Sequence, residues 1–522
     1  MSLASGARIG PCEIVISRFV LAGAAVLALA APASAQPAGP FDSWKESAAP
    51  RVPKAACRDL RALTNYAYSI DAATVLPARG STPDFCQVLG LIHPEVRFEV
   101  SLPAAWNGRL YMFGNGGYAG ENLAAPGRQR VRDAALAAGF AVAQTDTGHD
   151  ASREPLGSFA VNPQKLIDYA YRAVHVTAVT AKEIARAYYG NDVERSYFHG
   201  CSTGGRQGLI SAQRFPADFD GILVGAPVLD FTGTMLQYAQ IHRAVRAAPG
   251  LVDKMSVVAS RIYAKCDGVD GLADGLIDDP RRCTFDPATD LPPCQAAGQG
   301  NECLTDAEVS ALRAVYDPVV VGGTTVYPGL PVGAEVMSGW RGWIVDAKPP
   351  TISERFLDTF FKYMVTPGRE IDWRTFDAAA NGDQLQKITT LLNATDPDLR
   401  IFRTRGGKIL MYFGWAEQAL NPARGVQYFE EVQKASGPSG DFFRLFMMPG
   451  VFHCAGGPGP DVIDAMTPLV SWVERGVAPD RLVASKREKG TLTRTRPLCP
   501  YPQVARYRGT GSVDDAANFA CK

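Results

Sequence analysis

The segment Tyr197-Phe198-His199-Gly200-Cys201-Ser202-Thr203-Gly204-Gly205-Arg206 constrains the fold of this chain more than any other. It contains G-x-S-x-G at Gly200, Ser202 and Gly204. An apolar run, Arg195 to His199, leads in, and an amphipathic run, Gly205 to Arg214, leads out. A serine hydroxyl is lifted clear of a sheet where a strand reverses sharply into a helix. A Cβ at either flanking position would strike neighbouring backbone in so tight a turn, which is why glycine is needed there. The segment therefore predicts a strand, a turn presenting Ser202 as a nucleophile, and a helix.

The same alternation of short apolar runs with longer amphipathic ones extends along the chain and predicts an α/β fold with a largely parallel sheet. Leu110 to Phe113, Phe140 to Thr145, Ile222 to Val224, Lys408 to Phe413 and Phe443 to Met448 read as strands. Gln164 to Tyr189, Val426 to Lys434 and Asp461 to Arg475 read as helices. Residues 228–404 break the pattern with Gly-rich and Pro-rich loops and four cysteines. They are read as an inserted lid domain, leaving residues 36–227 and 405–522 as an α/β-hydrolase catalytic domain.

A serine nucleophile needs a base. In hydrolases with this turn the chain order is Ser, acid, His, and of the six histidines only His242 and His453 follow Ser202. His242 lies in a helix-like stretch and reads as a packed or surface residue. His453 follows a strand-like run in the short loop Pro449 to Gly457 and is the candidate base. Glu417 is the one carboxylate between Gly414 and Pro422, after the strand Lys408 to Phe413, and is the candidate acid that holds the imidazole tautomer. An oxyanion needs two backbone N–H donors. Thr203 supplies one; the stretch Gly114-Asn115-Gly116-Gly117 supplies the other, from Gly117 first and Gly116 next. Cys201 and Cys454 flank Ser202 and His453, and a disulfide between them would preorganise nucleophile and base.

The 53 basic and 53 acidic residues cancel, so no overall field draws in nucleic acid, and a neutral small substrate is expected. Arg8 and Arg18, the apolar stretch Phe19 to Ala31 and Ala33-Ser34-Ala35 read as a signal peptide, residues 1–35. Its apolar core is shorter than the roughly 20 residues of a spanning helix. The mature protein is expected outside the cytoplasm, secreted or periplasmic, with no membrane partner. Cys12 lies in the leader. The remaining ten cysteines are an even number, which in an exported chain argues for five disulfides. No C-x2-C and no H-E-x-x-H argues for zinc.

Taken together, these residues resemble the tannase and feruloyl esterase family, which includes bacterial hydrolases of mono(2-hydroxyethyl) terephthalate. The resemblance rests on Gly114-Asn115-Gly116-Gly117, Thr145-Asp146-Thr147-Gly148-His149, Tyr171-Arg172-Ala173-Val174-His175, Gly200-Cys201-Ser202-Thr203-Gly204-Gly205, Gly414-Trp415-Ala416, His453-Cys454 and Trp472-Val473-Glu474-Arg475-Gly476. It implies a secreted serine esterase that cleaves esters of aromatic acids through an acyl-enzyme, with no organic cofactor. Feruloyl esters lead, with galloyl esters and mono(2-hydroxyethyl) terephthalate as alternatives; a catalytically inactive binding protein is the alternative of another class. The family usually has Asp where this chain has Glu417. The resemblance also implies the bridges Cys57–Cys86, Cys266–Cys283, Cys294–Cys303 and Cys499–Cys521 beside Cys201–Cys454.

Five carboxylates crowd the loop Asp267 to Asp279, which contains no basic residue. Hard oxygen ligands suit Ca2+, although the EF-hand order is absent. The resemblance implies a structural calcium held by Asp267, Asp270 and Asp274 with the carbonyls of Leu272 and Leu276. His149 and His175 are expected to make structural hydrogen bonds. Trp340, Trp343, Phe356, Phe360, Phe361 and Tyr363 are expected to form either an aromatic acyl pocket or the core of the insertion.

Overall fold

The computed structural model describes residues 41–522 except 42, 46–48, 295–299, 301, 337–338 and 368–370. The leader expected at residues 1–35 lies outside them. Nine strands form the central sheet: β1 (Tyr68–Leu76), β2 (Phe85–Ile92), β3 (Val96–Pro103), β4 (Arg109–Phe113), β5 (Ala141–Thr145), β6 (Arg195–Ser202), β7 (Gly221–Pro227), β8 (Lys408–Gly414) and β9 (Phe443–Met448). Their spatial order is β1-β2-β3-β5-β4-β6-β7-β8-β9. From β5 to β9 every pairing is parallel, while β1, β2 and β3 form an antiparallel meander against β5. Parallel strands are covered by helices on both faces, which is why β5 and β7 are buried along their whole length and read as continuous apolar runs. The architecture is that of an α/β-hydrolase.

The expected strands form at or within three residues of their expected ends. The helix expected over Gln164 to Tyr189 is helical throughout but widens by one turn at Asp168–Arg172 before Ala173–Tyr189. The helix expected over Asp461 to Arg475 begins only at Met466. Val462 and Ile463 pair instead with Ser485 and Ala484, and the Asp464 carboxylate caps the new helix by accepting from the Thr467 N–H at 3.1 Å.

The described residues form one compact unit. The chain between β7 and β8 carries the helices Phe231–Arg246, Met255–Cys266, Asp306–Tyr316, Ile352–Thr359 and Gly382–Leu392. It contributes to two apolar clusters. One gathers Ile241, Val258, Ile262, Leu312 and Trp340; the other joins Phe231, Phe360, Phe361 and Trp373 to Tyr118, Tyr169 and Phe413 of the sheet region. The ten cysteines from Cys57 onward pair as Cys57–Cys86, Cys201–Cys454, Cys266–Cys283, Cys294–Cys303 and Cys499–Cys521.

Candidate active site

Ser202 ends β6 and immediately precedes the helix Thr203–Arg214, with φ +62° and ψ −122°. A positive φ is costly for a residue with a Cβ, and such strain is held where the surroundings over-determine it. Here glycines do so. A Cβ on Gly200 would lie 2.4 Å from the Gly204 backbone, and one on Gly205 would lie 2.5 Å from the Gly225 carbonyl. The register between β6 and β7 shifts between Cys201 and Ser202, which turns the serine out of the sheet.

The loop after β8 carries Glu417 and the loop after β9 carries His453, so parallel pairing of these two strands brings the residues together. His453 Nδ1 lies 3.0 Å from Glu417 Oε2. The Glu417 carboxylate is buried, 1% exposed, and its Oε1 accepts from the N–H groups of Ala419 (2.9 Å) and Leu420 (3.1 Å). These bonds fix the carboxylate and leave the second oxygen for the imidazole. The His453 N–H donates to Gln418 Oε1 at 3.0 Å, and the Trp343 ring meets the imidazole edge-on at 5.6 Å. The Cys201–Cys454 disulfide joins the neighbours of Ser202 and His453 with Cα atoms 6.0 Å apart.

Ser202, His453, Thr203, Gly117, Cys201 and Cys454 line one cleft of 480 Å³. A larger cavity of 1170 Å³ lies over β1, β2 and β3, lined by Arg97, Glu99, Asp146 and His149, and contains none of them. Thr203 opens its helix, where a backbone N–H has no acceptor within the helix. Gly117 faces it at φ +48°, its carbonyl accepting from the hydroxyls of Thr203 and Tyr169. The loop is anchored beneath. Asn115 Nδ2 donates to the Thr145 carbonyl (2.8 Å) and to Glu121 (2.9 Å), and its N–H donates to Gln207 (3.0 Å).

Of the aromatics singled out in the insertion, Trp343 and Phe356 line the cleft, whereas Trp340, Phe360 and Phe361 are buried in the clusters above and Tyr363 packs on one of them. The helix Phe231–Arg246 adds Phe231, Thr234, Met235 and Tyr238 to the cleft wall. The apolar spacing of Phe231, Met235 and Tyr238 marks one helix face and could have revealed them; nothing local distinguishes Gln418. His175 Nδ1 is paired with Asp218 Oδ2 at 2.8 Å, and buried His242 with Ser353 at 2.7 Å.

The acidic loop is neutralised differently from what its sequence suggests. The Asp274 carboxylate is paired with the Arg496 guanidinium, Arg494 donates to the Asp274 carbonyl and Arg506 to the Asp270 carbonyl. Asp267 accepts from the N–H groups of Asp274 and Gly275. Among the described residues no three His, Cys, Asp or Glu side chains gather closely enough to hold an ion. The donor chemistry suits calcium, but as arranged Asp274 is turned to an arginine rather than toward a shared site.

Residues 83–522 match the sequence model of the family described as tannase and feruloyl esterase. The chain is 34% identical to mono(2-hydroxyethyl) terephthalate hydrolase from Piscinibacter sakaiensis, covering 86% of this chain and 87% of that protein. It is 30% identical to probable feruloyl esterase B-1 from Aspergillus flavus over 82% and 83% of the two chains. The crystal structure of feruloyl esterase B from Aspergillus oryzae superposes with a TM-score of 0.80 at 27% identity, covering 89% of this chain and 99% of that one. With its fold, its G-x-S-x-G turn and these matches along most of its length, the chain belongs to the tannase and feruloyl esterase family.

Proposed function

We propose that the protein is a serine carboxylic-ester hydrolase that cleaves esters of aromatic acids, feruloyl esters foremost, through an acyl-enzyme. The observation that carries this reading is the pairing of buried Glu417 with His453, Nδ1 and Oε2 3.0 Å apart, with His453 sharing a cleft with Ser202 on its strained turn. Glu417 holds the proton on Nδ1, which leaves Nε2 as the base that deprotonates the Ser202 hydroxyl. The alkoxide attacks the ester carbonyl, and the tetrahedral oxyanion is stabilised by the N–H groups of Thr203 and Gly117. His453 then protonates the departing alcohol. Water, deprotonated by the same imidazole, cleaves the acyl-enzyme and regenerates the serine. The longer Glu417 reaches the imidazole, which weighs against an inactive binding protein.

Initial rates on methyl ferulate, methyl gallate and mono(2-hydroxyethyl) terephthalate, with Ser202→Ala as control, test the reading. The expected result is hydrolysis that falls by at least about 10³-fold in the variant. Full activity in Ser202→Ala would overturn it.

Three further expectations belong to this reading. Residues 1–35 direct export, so the exported protein begins at Gln36, as N-terminal sequencing would read. Residues 228–404 act as a lid, supported by their contribution of Phe231, Trp343 and Phe356 to the cleft wall. Calcium at the loop, through Asp267, Asp270, Asp274 and the Leu272 and Leu276 carbonyls, would have no part in the chemistry and would require Asp274 to exchange Arg496 for the ion. An unchanged melting temperature after chelation would remove calcium from the account.

A further inference from the structure

The cleft is marked by what lines it. Among the described residues around it there is no Asp, Glu, Lys or Arg; the walls are Val228, Phe231, Met235, Ile352, Phe356 and Leu420, with neutral polar groups between them. Apart from Ser202, His453 and Trp343, the polar side chains have already committed donors. The Tyr118 hydroxyl donates to the Phe356 carbonyl (3.0 Å), the Tyr238 hydroxyl to the Ala419 carbonyl (2.6 Å) and the Thr234 hydroxyl to the Asp230 carbonyl (2.9 Å). Both Asn115 Nδ2 hydrogens are taken by Glu121 and Thr145, and the Thr203 hydroxyl by Gly117. The Tyr118 and Tyr238 hydroxyls retain lone pairs, so they can still accept a hydrogen bond. Burial holds both phenols well above their ordinary range, so they stay neutral. Trp343 contributes a neutral indole. The formal charges bonded to cleft residues lie behind the wall: Glu417 behind His453, and Glu121 behind Asn115 and Gly116, where it is ion-paired with Arg128, whose guanidinium also donates to the Gly114 carbonyl.

A carboxylate only accepts hydrogen bonds, and burying one without a cation or a set of donors is costly. A phenol or methoxy substituent meets no such penalty. Resting on the esterase reading above, we propose that this cleft selects acyl groups without formal charge and discriminates against acyl groups that carry a second carboxylate, such as a terephthalate monoester. Cinnamoyl-type acids with neutral ring substituents are the substrate class that fits an apolar, uncharged wall.

The test compares kcat/KM for methyl 4-carbamoylcinnamate and methyl 4-carboxycinnamate at neutral pH, with methyl ferulate as reference. The pair matches in size and in scissile ester and differs in charge. The expected result is a kcat/KM at least about 100-fold lower for the carboxylate, as for a substrate that leaves a buried polar group unpaired. In Ile352→Arg, which places a cation at a lining position that is 41% exposed, the ratio of kcat/KM for the carboxylate to that for the amide is expected to rise at least about tenfold; Ile352→Gln should not reproduce this. Rates within about threefold for the wild-type pair would overturn the inference and leave the esterase reading intact. An arginine variant with an unaltered ratio would remove this cleft as the acyl site. Silence of the folded wild type on every ester, the ferulate included, would overturn both readings.

Discussion

His149 holds the Tyr118 carbonyl from beneath, its Nε2 3.0 Å from the oxygen and its ring stacked on Phe159 at 3.9 Å. The rest of its motif grips the same loop: Gly120 donates its N–H to the Asp146 carbonyl at 2.9 Å, and Ala151 returns a bond to the Gly120 carbonyl at 2.9 Å. A Cβ at Gly120 would lie 2.6 Å from the His149 ring, so the two segments fit only with glycine there. The Thr145 to His149 motif thus sets the position of Gly117 without entering the cleft.

His149→Leu is therefore expected to lower kcat about tenfold or more with little change in KM, because the loop that in the proposed mechanism receives the oxyanion loses its support. His149→Gln, which keeps an N–H donor, should recover part of the loss. Equal falls in both variants, or a change confined to KM, would contradict a positioning role; melting curves would show whether either variant is merely unfolded.

Glu417→Gln preserves the acceptor oxygen for Ala419 and Leu420 but presents an amide to His453. In the proposed mechanism Glu417 selects the tautomer and stabilises the imidazolium, so removing its charge is expected to cost about 10²–10⁴ in kcat with a small change in melting temperature. A variant within threefold of wild type would remove Glu417 from the mechanism.

Cys201→Ala combined with Cys454→Ala opens a covalent loop with a sequence separation of 253 residues. A loss of about 2–5 kcal/mol in stability is expected from the freed unfolded chain. A fall in kcat is expected under conditions where the variant is still folded, since serine and histidine are then tied only by packing. Denaturant melts and kinetics on the same samples separate the two effects.

Burial pushes the Asp146 carboxyl up to about 7, against the bonds it accepts from the Arg97 and Gly148 N–H groups. Between its ordinary value near 4 and pH 7 the folded state binds the extra proton, so its contribution to stability falls as pH rises across that window. Glu335, also pushed up to about 7 by burial, adds the same slope. Asp146→Asn should flatten the decline in melting temperature between about pH 4 and pH 7, and an unchanged profile would show that Asp146 does not titrate there.

The strands and turns nearest the chemistry were legible because parallel strands buried on both faces are apolar throughout and the turn between β6 and its helix tolerates only small residues. The meander β1 to β3 was not. β1 alternates irregularly between buried and exposed positions, so its pattern carries no clean period. Phe231, Met235 and Tyr238 use the residue types of any amphipathic helix, and sequence alone does not separate a face lining a cleft from one filling a core. The acidic loop was read from its own composition, whereas Arg494, Arg496 and Arg506 reach it from more than 200 positions along the chain.

The bridge between Cys201 and Cys454 also encloses the whole segment that separates β7 from β8. A protease that cut any exposed loop between Ser202 and His453 would nick the chain without releasing either piece. The two fragments would stay joined at the one place where their side chains must meet. The chain thereby gains tolerance to clipping in its most loop-rich region: wherever the cut falls, Cys201–Cys454 must be reduced before the halves can separate, and a cut inside the Cys266–Cys283 or Cys294–Cys303 loop requires a second bridge to be reduced as well.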